Sequence, residues 1–150
     1  MLGNIKSFHF VGIGGAGMSA IAKVLLEMGY KVSGSDLHKT DITDKLEAMG
    51  AKIYIGHHED NINQAEAIVI STAIPASNPE LRSARERGLK VFHRADIIAA
   101  LMQKYDGIAI AGAHGKTTTT SMVAIMLEKA GLDPTVIIGG ELNDIGGNAK

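Results

Sequence analysis

Short apolar runs alternate with stretches of helical periodicity along this chain, and that alternation limits the fold more than any other feature. Ile5 to Val11 reads as a first strand, and Met18, Ile21, Ala22 and Leu25 then fall on one helix face, which stops near Gly29. Lys31 to Asp36 reads as a second strand, Lys52 to Ile55 as a third and Ala67 to Ser71 as a fourth. A short helix carrying Ile42, Leu46 and Met49 lies between the second and third and ends at Gly50. Asn78-Pro79 pairs a capping side chain with proline at the first helical position, so a helix starts there and runs to Gly88. Lys90 to Phe92 is the fifth strand, and Ile98, Leu101, Met102 and Tyr105 mark the buried face of the next helix. This order predicts an α/β fold, a Rossmann-like doubly wound parallel sheet. The unbroken apolar run from Ala67 to Ile70 suits a strand covered on both faces.

A second unit begins after Tyr105. Gly107 to Ala111 is short and apolar and reads as a sixth strand; Val123, Met126, Leu127 and Ala130 recur at helical spacing, with a stop near Gly131. Thr135 to Ile138 reads as a seventh strand, and Gly139 to Asn148 as loop. The division expected is residues 1–105 as one complete domain and 106–150 as the opening of a second α/β domain, so the chain reads as truncated. A strand at Gly107 to Ala111 without its full sheet would be an open edge, able to pair with the first domain or with another copy in a homodimer.

Composition narrows the function classes. Aromatic residues are only 4% with no Trp, so the core must be aliphatic. The net charge of -1, from dispersed acids and bases, gives no electrostatic footprint for nucleic acid or an anionic membrane. The absence of Cys excludes disulfides and thiolate metal sites and suits a reducing cytosol. The first residues lack the apolar run of a signal peptide, and no apolar stretch approaches the ~20 residues of a membrane span. The expectation is a cytoplasmic protein.

Gly12-Ile-Gly-Gly-Ala-Gly17 follows the first strand, opens the first helix, and is followed by Asp36 at the end of the second strand. That is the spacing of a dinucleotide fingerprint, in which the glycines admit a diphosphate and the acid meets a ribose hydroxyl. Physics alone does not choose among NAD, FAD and a nucleotide sugar, since each carries a diphosphate and a ribose. A nicotinamide-dependent oxidoreductase therefore stays open for the amino-terminal third.

Gly112-Ala-His-Gly-Lys-Thr-Thr-Thr-Thr120 is the second phosphate loop. Its backbone N–H groups and the following helix N-terminus would cradle an anion. Lys116 would meet the β/γ-phosphate oxygens of ATP, and the Thr117 hydroxyl would ligate Mg²⁺. Gly112 and Gly115 enclose only Ala113 and His114, fewer than the four residues of the general pattern. A dehydrogenase has no use for such a loop.

Other positions carry less. Ser71, Thr72, Ala73 and Ile74 lie at the carboxyl end of the fourth strand, where open α/β sheets place ligands. His93-Arg94 precedes a helix and could meet an anion, while His57-His58 lacks a carboxylate at ligand spacing. His114 reads as a loop-shaping or phosphate contact, and His9 and His38 as structural or solvated. Glu80, Arg82, Arg85, Glu86 and Arg87 read as a wet helix face.

The two loops together resemble the Mur ligase family, with support from Val32-Ser-Gly-Ser-Asp36, Ser71-Thr-Ala-Ile74, His93-Arg-Ala95 and Ala130-Gly-Leu-Asp-Pro134. Members commonly carry Thr where this chain has Ala113, which removes a hydroxyl but no backbone donor. The resemblance implies a first domain that binds the UDP part of UDP-N-acetylmuramate. Gly12, Gly14, Gly15, Ala16, Gly17, Met18 and Ser19 would lie at the diphosphate, Ser35 and Asp36 near the ribose, and Ser71, Thr72, Ala73, Ile74 and Arg94 around the same site. It implies ATP on Gly112, Ala113, His114, Gly115, Lys116, Thr117 and Thr118, with Mg²⁺ at Thr117 and Lys116 as the catalytic cation. The implied reaction is ATP-dependent addition of L-alanine through an acyl phosphate in peptidoglycan precursor synthesis. A sister enzyme attaching a peptide to the same UDP-sugar is not separated by these residues. The family's metal-binding acid, adenine contacts and amino-acid-delivering domain have no counterpart before Lys150, so the expectation is UDP binding without ligation.

Overall fold

The computed structural model describes residues 2–142 and 147–149. Five strands form one parallel sheet: β1 Ser7–Val11, β2 Lys31–Asp36, β3 Lys52–Ile55, β4 Ala67–Ile70 and β5 Lys90–His93, in the order β3-β2-β1-β4-β5. The doubly wound α/β reading is met.

Side-chain alternation on these strands builds two cores. Phe8, Phe10, Val32, Val69 and Phe92 face α1 (Ala16–Glu27), α2 (Asp41–Ala48) and α4 (Arg94–Met102). Val11, Ile68 and Ile70 face α3 (Pro79–Glu86) and a 3-10 turn at Glu59–Ile62, where Ile62, Leu81 and Ala84 complete the packing. Fully buried Phe8, Phe10, Ile21 and Leu25 each contribute roughly 1.5–3 kcal/mol of apolar burial. Gly34 lets β2 meet the chain leaving β1: a Cβ there would lie 2.6 Å from Ile13 Cβ and 2.9 Å from Phe10 O.

The segment after α4 differs from the sequence reading. Helix α4 ends at Met102, and its buried face is Ile97, Ala100 and Leu101; Met102 and Tyr105 are exposed. Gly107 to Ala111 is not a strand, and all but half-buried Ile110 are exposed. An apolar run becomes a strand only where another strand accepts its hydrogen bonds, and none of the described residues does so here. The expected pairing of this run with the first domain is therefore absent among the described residues.

Beyond it, α5 (Lys116–Lys129) is followed by β6 (Ile137–Leu142), paired antiparallel with β7 (Gly147–Ala149). The seventh strand thus begins later and runs further than Thr135 to Ile138, and part of the expected loop is hairpin; residues 143–146 lie outside the described residues. Ala124, Val136 and Ile138 form a small cluster between α5 and the hairpin, while Ile137 and buried Ala149 pack on the core beside α1. No helix among the described residues is long and apolar enough to cross a membrane.

Candidate functional site

Strand order reverses between β1 and β4, and open parallel sheets bind ligands in the crevice at the carboxyl ends of strands flanking such a point. The glycine loop leaves β1 at that place, and Ser71 to Ile74 leave β4 beside it. Gly12 has φ +78°, a turn that residues with a side chain rarely adopt. Ile74 lines its other side, with Cδ1 3.5 Å from where a Gly12 Cβ would stand.

The carboxyl end of β2 shapes the loop. Ser35 O accepts Gly12 N–H at 2.8 Å and Ile13 N–H at 2.9 Å, and Asp36 Oδ2 accepts Gly14 N–H at 2.8 Å. Asp36 O also accepts Gly56 N–H at 2.8 Å, so the residue before His57 is tied to the same strand end. A Cβ at Gly14 would lie 2.8 Å from Asp36 Oδ2 and 3.2 Å from its Cγ, so a side chain there would push the carboxylate off the loop.

Helix α1 opens at Gly15, which has no side chain to cap it, and carries no acid in its first turn. Its positive end therefore faces the crevice without a neutralising carboxylate of its own. Arg94, the first residue of α4, brings a cation there: a Cβ at Gly17 would overlap Arg94 Nη1 and lie 3.0 Å from Cζ. His93 N–H donates to Asp96 Oδ2 at 2.7 Å, which fixes the turn carrying Arg94.

Other sequence-selected residues offer mainly backbone. Met18 is buried in the core, and Ser19 Oγ donates to Ala16 O at 3.0 Å. Ser71 Oγ accepts Ala73 N–H at 3.3 Å, leaving Thr72 and Ala73 exposed on the turn.

The second loop stands apart from this crevice in character, being wholly exposed from Ala111 to Thr119. Gly115 takes the left-handed conformation, φ 76°, and opens α5. Lys116 Nζ folds back to donate to Gly112 O at 2.5 Å and Ala113 O at 3.3 Å. Thr120 and Ser121 hydroxyls donate to Lys116 O and Thr117 O, each at 2.7 Å. His114 and Thr118 are exposed beside them.

Sequence reasoning missed a buried polar cluster beneath the first loop. Glu80 is not on a wet face; it is fully buried. Its Oε1 accepts from Asn61 Nδ2 at 2.8 Å and His9 Nε2 at 3.2 Å, and its Oε2 from Ser35 Oγ at 2.7 Å and His57 Nδ1 at 2.8 Å. Ser33 Oγ meets His9 Nδ1 at 2.9 Å. A carboxylate can only accept, so His9 Nε2 and His57 Nδ1 each carry a hydrogen toward Glu80. Burial pushes the Glu80 carboxyl up, but the hydrogen bonds from His9, Ser35 and Asn61, with the His9 charge, together hold it below its usual range. The cluster also accounts for Ser35, whose side chain turns away from the crevice while its carbonyl shapes the loop. No group of three or more His, Cys, Asp or Glu able to hold a metal occurs among the described residues.

The family profile described as "Mur ligase family, catalytic domain" matches residues 7–106. The chain is similar to a protein named UDP-N-acetylmuramate–L-alanine ligase from Pelotomaculum thermopropionicum, 60% identical over 97% of this chain and 32% of that protein. It is also similar to one of the same name from Geotalea uraniireducens, 58% identical over all of this chain and 33% of that protein. The chain thus spans about a third of the length of these relatives. Among solved structures, UDP-N-acetylmuramate-alanine ligase from Thermotoga maritima superposes with a TM-score of 0.89 at 34% identity, over 96% of this chain and 34% of that one. UDP-N-acetylmuramate:L-alanyl-gamma-D-glutamyl-meso-diaminopimelate ligase from Neisseria meningitides superposes with 0.88 at 32% identity, over 97% of this chain and 46% of that one.

Proposed function

The chain belongs to the Mur ligase family, and from that premise we propose that it is the UDP-substrate-binding domain, residues 1–105, and the start of the ATP-binding domain, residues 106–150, of a UDP-N-acetylmuramate–L-alanine ligase. The observation that carries this reading is Arg94 laid against Gly17 at the uncapped opening of α1. A fixed cation beside a helix N-terminus suits a diphosphate, which needs both charge and backbone donors. Asp36 spends Oδ2 on the loop, and its other oxygen is the acceptor for a ribose hydroxyl.

In the whole ligase the muramoyl carboxylate attacks the γ-phosphorus of ATP, releasing ADP and forming an acyl phosphate. The L-alanine amine then adds to that carbonyl, and the tetrahedral intermediate expels phosphate and loses a proton to give the amide. Lys116 would swing from the loop carbonyls onto the triphosphate, where its charge stabilises the transferring group. Thr117 would hold Mg²⁺ as a hard oxygen donor at the helix opening, together with the triphosphate and the metal-binding acid that the family resemblance implies. Bound there, the ion would neutralise charge on the phosphates.

The exposed second loop supports the view that these residues alone bind UDP but do not ligate. The two relatives at 60% and 58% identity carry alanine in their names, which favours alanine over a peptide as the added group. Backbone shape does not separate the two, since an alanine ligase and a peptide ligase superpose equally well. Calorimetry with UDP and with NADH on the same sample tests the reading. Heat with UDP and none with NADH supports it; binding of NADH alone overturns it in favour of an oxidoreductase.

A further inference from the structure

Glu80 lies beneath the crevice and touches neither loop, yet it grips both of the walls that form it. Through Ser35 Oγ at 2.7 Å it holds the residue whose carbonyl accepts Gly12 and Ile13 N–H. Through its own place at the second position of α3 it is tied to the β4–α3 connection: Asn78 Oδ1 accepts Glu80 N–H at 2.9 Å and Leu81 N–H at 3.2 Å. That connection carries Ile74, which lines Gly12 from the other side. His57 and Asn61 bring the chain after β3 to the same carboxylate.

We propose that Glu80 is a positioning residue for the uridine diphosphate, acting through Ser35 to set the spacing of the glycine loop against the β4–α3 connection. The inference rests on the reading that this loop binds UDP. A diphosphate bound by backbone N–H groups tolerates little displacement of its donors, because each bond weakens steeply with distance and angle. A buried carboxylate with four donors makes a stiff anchor beneath the loop, and the negative charge suits the first turn of α3. Glutamine keeps the shape of Glu80, but one terminal atom becomes a donor facing donors. It cannot accept from both Ser35 Oγ and His57 Nδ1 on one side and from His9 and Asn61 on the other.

The test compares Glu80→Gln, Ser35→Ala and the double variant of the whole chain by UDP calorimetry, thermal unfolding and amide hydrogen exchange. Each single substitution is expected to weaken UDP by about tenfold and to speed exchange at Gly12 and Ile13, with Ile68 and Val69 in β4 unchanged. The double variant should bind no worse than Glu80→Gln alone, because both cut the same link. A Glu80→Gln protein with lowered melting temperature but wild-type UDP affinity and loop exchange would overturn the proposal, as would additive effects. If Glu80→Gln does not fold, Ser35→Ala decides: faster loop exchange upholds the link and wild-type exchange breaks it. A wild-type chain that ignores UDP would instead sink the binding reading, with loop exchange still reporting on the link.

Discussion

Asp36 Oδ2 accepts the Gly14 amide at 2.8 Å across the mouth of the first loop, so the acid at the end of β2 organises the glycine turn before any ligand arrives. Asp36→Ala removes that acceptor from a half-buried site, and the cost is about 1.5–3 kcal/mol for a hydrogen bond to a charged group. Chemical denaturation should show that loss, together with at least tenfold weaker UDP binding. Unchanged UDP affinity would mean that Asp36 serves the fold alone.

Two glycine-to-alanine substitutions should part stability from binding. At Gly17 the new methyl meets the far end of the flexible Arg94 side chain, which can move aside. Stability should hold or rise by up to about 1 kcal/mol from helix propensity, while UDP affinity falls as the guanidinium is displaced. At Gly34 the methyl meets Ile13 Cβ and Phe10 O, which cannot move cheaply, so stability should fall by roughly 1–3 kcal/mol. Thermal unfolding and UDP calorimetry on both variants separate the cases.

Lys116 is exposed, and its Nζ donates to two carbonyls of its own loop. Lys116→Met should therefore leave unfolding within about 0.5 kcal/mol of wild type and UDP affinity unaltered. Any ATP affinity of the chain should fall. A coupled loss of UDP binding would contradict the separation of the two loops.

Glu80 gives the fold an acid-sensitive part. Its burial raises the carboxyl, but the bonds from His9, Ser35 and Asn61 leave it below the usual range. A carboxyl whose folded value is depressed holds its proton more weakly in the folded state. Its stabilisation is therefore full above the unfolded value of about 4.3 and is lost as pH falls through the lower folded value. Denaturation midpoints measured from pH 7 down to pH 3 should fall more steeply for wild type than for Glu80→Gln. Parallel acid limbs would contradict this.

Much of the architecture was legible because local signals agreed with the global fold. Lys31 to Asp36 and Lys52 to Ile55 match β2 and β3 end to end, and Asn78-Pro79 does open α3. Glu80 was missed because its neighbours Arg82, Glu86 and Arg87 give the helix a polar outline, and a first-turn acid ordinarily faces water. A signal was present in the strands: His9, Ser33 and Ser35 fall on one face of a sheet covered on both sides, and buried polar groups require a partner. Gly107 to Ala111 was misread because strand propensity says nothing about whether a neighbouring strand exists. The β6–β7 pairing was hidden for the opposite reason, since glycine-rich sequence there reads as loop while hydrogen bonding makes it a hairpin.

The claim that the glycine loop at the β1–β4 switch point holds a uridine diphosphate is tested most directly by amide and guanidinium NMR during a UDP titration. Saturable shifts are expected at Gly12 to Ser19 and at Arg94 Nε–H, with Gly112 to Thr118 unmoved. Shifts confined to the second loop, or a first loop silent to UDP and responsive to NADH, would contradict it.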